Sequence, residues 1–165
     1  MGYFIQAMDP RAAEQISLWT YPKPYDLYDA TSGPETTAEL LDGTYFRVTS
    51  QDGDVVGFCC IGASAQVPAG LAVGAYAHPT LLDMGLGMRP DLTGHGLGYA
   101  FVGSVIDFLS KRPNTSGLRL TVATFNQRAI SVYQHHRFVP AQRFFSQRTA
   151  FMTMERPNQT LSLAT

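Results

Sequence analysis

The spacing of apolar residues changes several times along this chain, and each change marks an element. Gly2–Met8 alternates weakly and predicts a first strand. Asp9 and Pro10 carry the residue types of an N-cap and a first helical turn, which predicts a helix over Pro10–Trp19. Tyr21–Ala30 (YPKPYDLYDA) is aromatic and holds two prolines, so it reads as a poor strand and at best a short helix. Thr36–Leu41 reads as a helical turn closed by Asp42-Gly43. Apolar and β-branched residues then flank Gln51-Asp52-Gly53, and this turn signal predicts a hairpin of Thr44–Ser50 with Asp54–Gly62.

Gly62–Pro79 is rich in Gly, Ala and Pro and predicts a long loop, a length unusual unless the loop is functional or mobile. Leu81–Met88 is the next strand, where Gly85 and Gly87 signal a bulge or a close backbone approach. In Gly94–Lys111 the residues Leu97, Phe101, Val105, Phe108 and Leu109 recur at helical spacing, and Pro113-Asn114 ends this longest helix. Gly117–Thr124 alternates Leu118, Leu120 and Val122 as a strand, Phe125–Arg137 is a further helix, and Phe138–Phe145 and Thr149–Glu155 close as strands. Residues 1–156 read as one domain, with a polar, disordered tail over 157–165. The order implies an α/β (α+β) fold, a mixed sheet with helices on both faces.

Composition narrows the class. The chain has 165 residues, 45% hydrophobic and 15% charged, ordinary for one globular domain with a sizeable core. No apolar run reaches membrane-spanning length, and the N-terminus MGYFIQAMDP lacks the basic and apolar regions of a signal peptide, so no membrane partner is expected. Cys59 and Cys60 are adjacent, and strand neighbours point to opposite faces, so no bridge between them and a reduced, cytoplasmic setting are expected. A net charge of −1 offers no basic footprint for nucleic acid. That total conceals a split. Residues 1–54 hold nine acidic and three basic side chains, a balance of −6, and the remainder holds four and nine, a balance of +5. Such a division suits a cationic ligand on the first half and an anionic one on the second, and scatter over a solvated surface is the other reading.

The segment Leu86–Phe101 (LGMRPDLTGHGLGYAF) carries the most chemistry. A strand ends, Pro90-Asp91 turns the chain, Gly94, Gly96 and Gly98 alternate, and a helix opens. Free N–H groups at a helix start, together with its dipole, make an anion cradle, and glycines let a phosphate approach. The phosphate loop's Gly-Lys-Ser/Thr is absent. Tyr99 or Phe101 stands where the dinucleotide fingerprint needs its third glycine. A ligand-free turn is the plain alternative.

This segment resembles the pyrophosphate-binding motif of the GNAT acetyltransferases. Gly96 and Gly98 match its two small positions, Gly94 a glycine often beside them, and Leu-Gly-Met-Arg-Pro the end of the family's splayed fourth strand. Thr93 stands where Arg or Gln is usual. The segment Leu118–Phe138 is also similar to this family: a strand, Asn126, and a helix carrying Tyr133 two turns later on the same face. Arg137 stands where a glycine is common. The resemblance implies a mostly antiparallel central sheet of six to seven strands with a splayed fourth strand and helices on both faces. It implies acetyl-coenzyme A as cosubstrate and no metal. Backbone groups of His95, Gly96, Leu97 and Gly98 would take the pyrophosphate, Met88 the pantetheine arm, Asn126 a cofactor hydrogen bond, and Arg89 and Arg128 phosphate contacts. Tyr133 would protonate the leaving thiolate. Read from the residues alone, Asn126 is equally an N-cap and Tyr133 a half-buried aromatic.

The reaction implied is direct attack of a primary amine, on a small molecule or a protein, in a ternary complex. Asp83 is the best-placed carboxylate to take the amine proton, with a structural carboxylate as its other reading. His78 is a second candidate, and Thr121 stands where some relatives carry a glutamate. The acidic, aromatic first half, Tyr21–Tyr28 above all, would form the acceptor side. A homodimer is allowed. A GNAT-like domain that binds acyl-coenzyme A without turnover is the alternative function.

Overall fold

Asp9 opens the first helix as its residue type requires, its carboxylate accepting from the Ala12 N–H at 2.7 Å. The computed structural model describes residues 2–29 and 34–158. Their order is β1 (Phe4–Ala7), α1 (Pro10–Ser17), a 3-10 turn (Tyr25–Tyr28), α2 (Pro34–Leu40), β2 (Tyr45–Thr49), β3 (Val55–Ile61), a second 3-10 turn (Gly62–Ala65), α3 (Pro68–Leu71), β4 (Leu81–Met88), α4 (Gly98–Ser110), β5 (Gly117–Ala123), α5 (Gln127–His135), β6 (Val139–Ser146) and β7 (Thr149–Pro157).

Seven strands form one sheet in the order β1-β2-β3-β4-β5-β7-β6. Every neighbour pairs antiparallel except β4 and β5. That parallel pairing holds only for Leu81 with Gly117, Leu82 with Leu118 and Asp83 with Arg119. Beyond it Met84–Met88 pairs with β3 alone and Leu120–Ala123 with β7 alone, so the two strands part into a gap. The fourth strand is splayed.

Helix α4 fills one face. Phe101, Val102, Val105, Ile106 and Leu109 are buried against Met84, Leu118, Leu120, Val122 and Met154. Full burial of each such side chain is worth about 1.5–3 kcal/mol, so this helix is a principal anchor of the fold. Helices α1 and α2 take the other face, where Ala13, Ile16 and Leu40 pack with Trp19, Tyr45 and Phe58. Among the described residues no helix is long and apolar enough to cross a membrane.

Three details differ from the sequence expectations, and the alternatives left open at Gly85 and Gly87 are resolved. The stretch 62–79 is not simply a loop: Pro68 starts the one-turn helix α3. Helix α4 begins at Gly98 rather than Gly94, because Gly94 and Gly96 take φ of 77° and 76°, which a right-handed helix excludes. Gly85 and Gly87 mark a close approach and no bulge. A Cβ on Gly87 would stand 2.5 Å from the Phe58 ring, and one on Gly85 2.8 Å from Cys60 Sγ. The expected tail loses its first two residues: Pro157 ends β7, and Asn158 binds the Ser116 and Thr115 carbonyls. The rest of that tail lies outside the described residues. Cys59 and Cys60 are both free and buried.

Candidate active site

The gap between β4 and β5 is bounded by three features that the chain places in succession. Below β4 runs the glycine loop into α4, whose first turn has no side-chain cap. Its leading N–H groups are therefore left without side-chain acceptors, the condition for an anion cradle. A Cβ on Gly94 would lie 3.1 Å from an Arg128 guanidinium nitrogen, and one on Gly96 would meet nothing within 4 Å. Arg128 thus lies over the loop, and it forms no ion pair among the described residues. A Cβ on Gly98 would reach Val132 at 3.4 Å, which seats α5 close against α4. His95 and Leu97 are exposed in this loop, and the Thr93 hydroxyl donates to the Pro90 carbonyl at 2.7 Å.

Beyond β5, Asn126 caps α5: its Oδ1 accepts from the Ala129 N–H at 3.2 Å. Its Nδ2 remains for a second task and donates to the Tyr28 hydroxyl at 3.2 Å. One α5 face carries Tyr133, 9% exposed and edge-on to Phe138 with ring centroids 6.0 Å apart. Among the described residues its hydroxyl has no hydrogen-bond partner. Burial raises its pKa, and nearby Tyr28 raises it further, so the phenol stays protonated far into alkali. The turn after α5 keeps its form without a glycine. Arg137 adopts φ 71°, and the Phe138 N–H bonds the Tyr133 carbonyl at 3.1 Å.

The third feature is the segment Tyr21–Asp29, tied down where the Tyr21 N–H donates to the Asp29 carboxylate at 2.6 Å. Tyr21 Oη donates to the Met88 carbonyl at 2.7 Å. The Tyr25 ring carries Arg128 at 4.7 Å and packs on Phe125 at 5.9 Å. Tyr28 meets Asn126. Its phenol is also raised by burial, an effect partly offset by hydrogen bonds from Asn126 and the Ala123 backbone. The segment therefore straps the mouth of the gap from β4 to α5. The sequence flags its aromatic content, but its contacts depend on residues more than sixty positions away, as for Tyr21 and Met88.

Two expected site residues have other partners. Asp83, the expected proton acceptor, has its carboxylate engaged by neighbouring side chains. Arg119 binds it through Nε–Oδ1 at 2.5 Å and Nη2–Oδ2 at 2.9 Å, and Gln66 donates to Oδ2 at 2.8 Å. Three of its four acceptor positions are filled, and both partners of the ion pair are buried. Sequence reasoning missed Arg119, although an arginine in the apolar strand LRLTV is a signal. The Arg89 guanidinium is held by Asp91 at 2.7 Å and the Val55 carbonyl at 3.3 Å, so its charge is already partnered. His78 is exposed and faces Thr80 at 3.4 Å. Thr121 shares a 2.7 Å hydrogen bond with the Tyr76 hydroxyl. No group of three or more His, Cys, Asp or Glu among the described residues has a metal-binding arrangement.

Known structures share this architecture. The spermidine/spermine N-acetyltransferase SpeG of Vibrio cholerae, in mutant forms, is 16% identical over 94% of each chain, with a TM-score of 0.64. A GNAT-family acetyltransferase of Bacillus anthracis is 10% identical over 95% of each chain, with a TM-score of 0.71. AAC(6')-Ib in complex with ribostamycin and coenzyme A is 13% identical over 95% of this chain and 94% of its own, with a TM-score of 0.73. At these identities the likeness speaks for the fold. No curated protein matches the sequence. The family model "Acetyltransferase (GNAT) family" matches residues 11–138, from α1 through the glycine loop to the end of α5, and by that span the chain belongs to the GNAT acetyltransferases and is an acyltransferase.

Proposed function

We propose that this domain, residues 1–156, moves an acetyl group from acetyl-coenzyme A to the nitrogen of a primary amine, both bound at once in the gap between β4 and β5. The observation that carries the reading is the uncapped start of α4 behind Gly94 and Gly96 with Arg128, which has no ion pair among the described residues, above it. The loop N–H groups from His95 to Gly98, at the positive end of α4, and the Arg128 guanidinium fit a pyrophosphate. Met88 and Asn126 would hold the pantetheine arm once their tyrosine partners release them.

Acetyl-coenzyme A supplies a thioester carbonyl: the amine lone pair forms the C–N bond, the C–S bond breaks with its electron pair on sulfur, and the amine gives up a proton. Tyr133 would deliver a proton to that sulfur, and its raised pKa keeps the proton available. From an ammonium ion, the products are the amide, the free thiol and one proton to solvent. Holding both reactants in one site supplies much of the acceleration. Solved neighbours named for spermidine/spermine, or bound to ribostamycin and coenzyme A, support an amine acceptor.

The test is thermal unfolding with and without acetyl-coenzyme A. At about 100 times its Kd, a ligand of the folded state adds about 2.7 kcal/mol, a shift of several degrees. Gly96→Trp would fill the space over the loop, strain the positive φ and diminish the shift. No shift at millimolar coenzyme would overturn the reading.

A further inference from the structure

Trp19, the chain's single tryptophan, stands with Tyr21, Tyr28, Tyr45 and Phe58 around a cavity of about 270 Å³ on the α1–α2 face of the sheet. The Phe58 ring lies 6.3 Å from Trp19 and 6.1 Å from Tyr45, so these side chains form a continuous aromatic wall. Among the described residues Glu39 of α2 is the one charged residue lining it, and the Tyr45 hydroxyl reaches its carboxylate at 3.5 Å. Two of the walls are also the strap. Tyr21 and Tyr28 border the cavity on one side and hydrogen-bond Met88 and Asn126 at the gap on the other.

The chemistry of this lining is one-sided. Aromatic faces attract a cation through their quadrupoles, a carboxylate adds a full negative charge, and no basic side chain offsets either. Among the described residues of the lining, an anion meets hydroxyl and indole donors and no positive charge. One carboxylate pairs with one positive charge, so the further charges of a polyamine would be buried against aromatic rings without partners. The volume suits a small molecule, and rings that carry hydroxyls beside one carboxylate offer both a face for its body and polar groups for its orientation.

We propose that this cavity is the acceptor pocket and that it takes a small monoamine with an apolar body. The body lies among Trp19, Tyr45 and Phe58, and the amino group lies at the Tyr21–Tyr28 edge beside the gap. Glu39 draws the cation in. The assignment of the bound amine as an acetyl acceptor rests on the acetyltransferase reading above, whereas the ligand class follows from the lining itself.

Trp19 makes the pocket measurable without turnover. Its fluorescence is titrated with 2-phenylethylamine, with phenylacetate (the same body as an anion) and with spermidine. A saturable change is expected for 2-phenylethylamine, weaker binding for spermidine and none for phenylacetate. In Glu39→Gln, at an exposed position, the 2-phenylethylamine Kd should rise roughly two- to fivefold, the worth of a solvent-exposed charge pair. No saturable change, an equal response to phenylacetate, or tighter binding of spermidine would overturn the pocket assignment. Thermal unfolding with acetyl-coenzyme A, run on the same protein, separates the two claims. A coenzyme shift without an amine response removes the pocket and leaves the acetyltransferase. A saturable amine response without a coenzyme shift supports the cation pocket and removes the acetyltransferase.

Discussion

Arg119 grips both oxygens of Asp83 across the one parallel pairing among the described strands. Both residues are buried, so removing either leaves a charge in a dry interior. Asp83→Asn should lower unfolding stability by about 3–5 kcal/mol, whereas the paired change Asp83→Leu with Arg119→Met should cost far less. Denaturant unfolding of the three proteins measures this. At a temperature where Asp83→Asn stays folded, kcat should remain within about tenfold of the parent, a smaller loss than removal of a general base brings. A larger loss would return Asp83 to the chemistry.

Tyr133→Phe keeps the ring against Phe138 and deletes only the hydroxyl. We expect kcat to fall about a hundredfold with coenzyme affinity unchanged, because the proton is needed only as the thiolate leaves. Parallel turnover and calorimetric binding measurements decide it. An unchanged kcat would remove Tyr133 from the mechanism.

Tyr28→Phe frees the Asn126 amide from its present partner. A competitor worth one hydrogen bond, about 0.5–1.5 kcal/mol, is lost, so coenzyme A should bind roughly two- to tenfold tighter. Weaker binding would show instead that the hydroxyl supports the site.

Burial raises both thiols: Cys59 and Cys60 are each pushed up to about 12. At pH 8 neither should react with Ellman's reagent in the native protein, and both should react on unfolding. Their contribution to stability is complete below the ordinary thiol range near 9. As pH rises from there toward 12, the unfolded chain holds fewer protons than the folded one, and stability falls. A stability curve flat through that window would contradict the burial of these groups.

Arg137 holds a left-handed conformation that glycine occupies without strain. Arg137→Gly should stabilise the fold by about 0.5–1 kcal/mol, a rise of roughly 1–4 °C in Tm. Arg137→Val should do the reverse.

Where chemistry and local sequence coincide, the reading from residues is sufficient. Gly94, Gly96 and Gly98 announce a strand-to-helix turn by composition alone, and Asn126 announces its helix by position. What escapes depends on distance along the chain. Asp83 gains its ion-pair partner only because a parallel strand brings Arg119 opposite it, thirty-six positions away. The role of Tyr28 is set by a residue ninety-eight positions on. Helix α3 is hidden because a single turn carries too few residues to show a period.

The short pairing between β4 and β5 follows the order of the chain. Strands β1 to β4 precede Lys111 and form one half of the sheet, and β5 to β7 follow it and form the other. The gap is therefore a seam between two consecutive lengths of polypeptide, fastened in the sheet by three residue pairs. Every antiparallel ladder lies within one of the two lengths, and helix α4 packs on both. The buried Asp83–Arg119 clasp is one of those three pairs, so an ion pair closes the join where two lengths of chain meet.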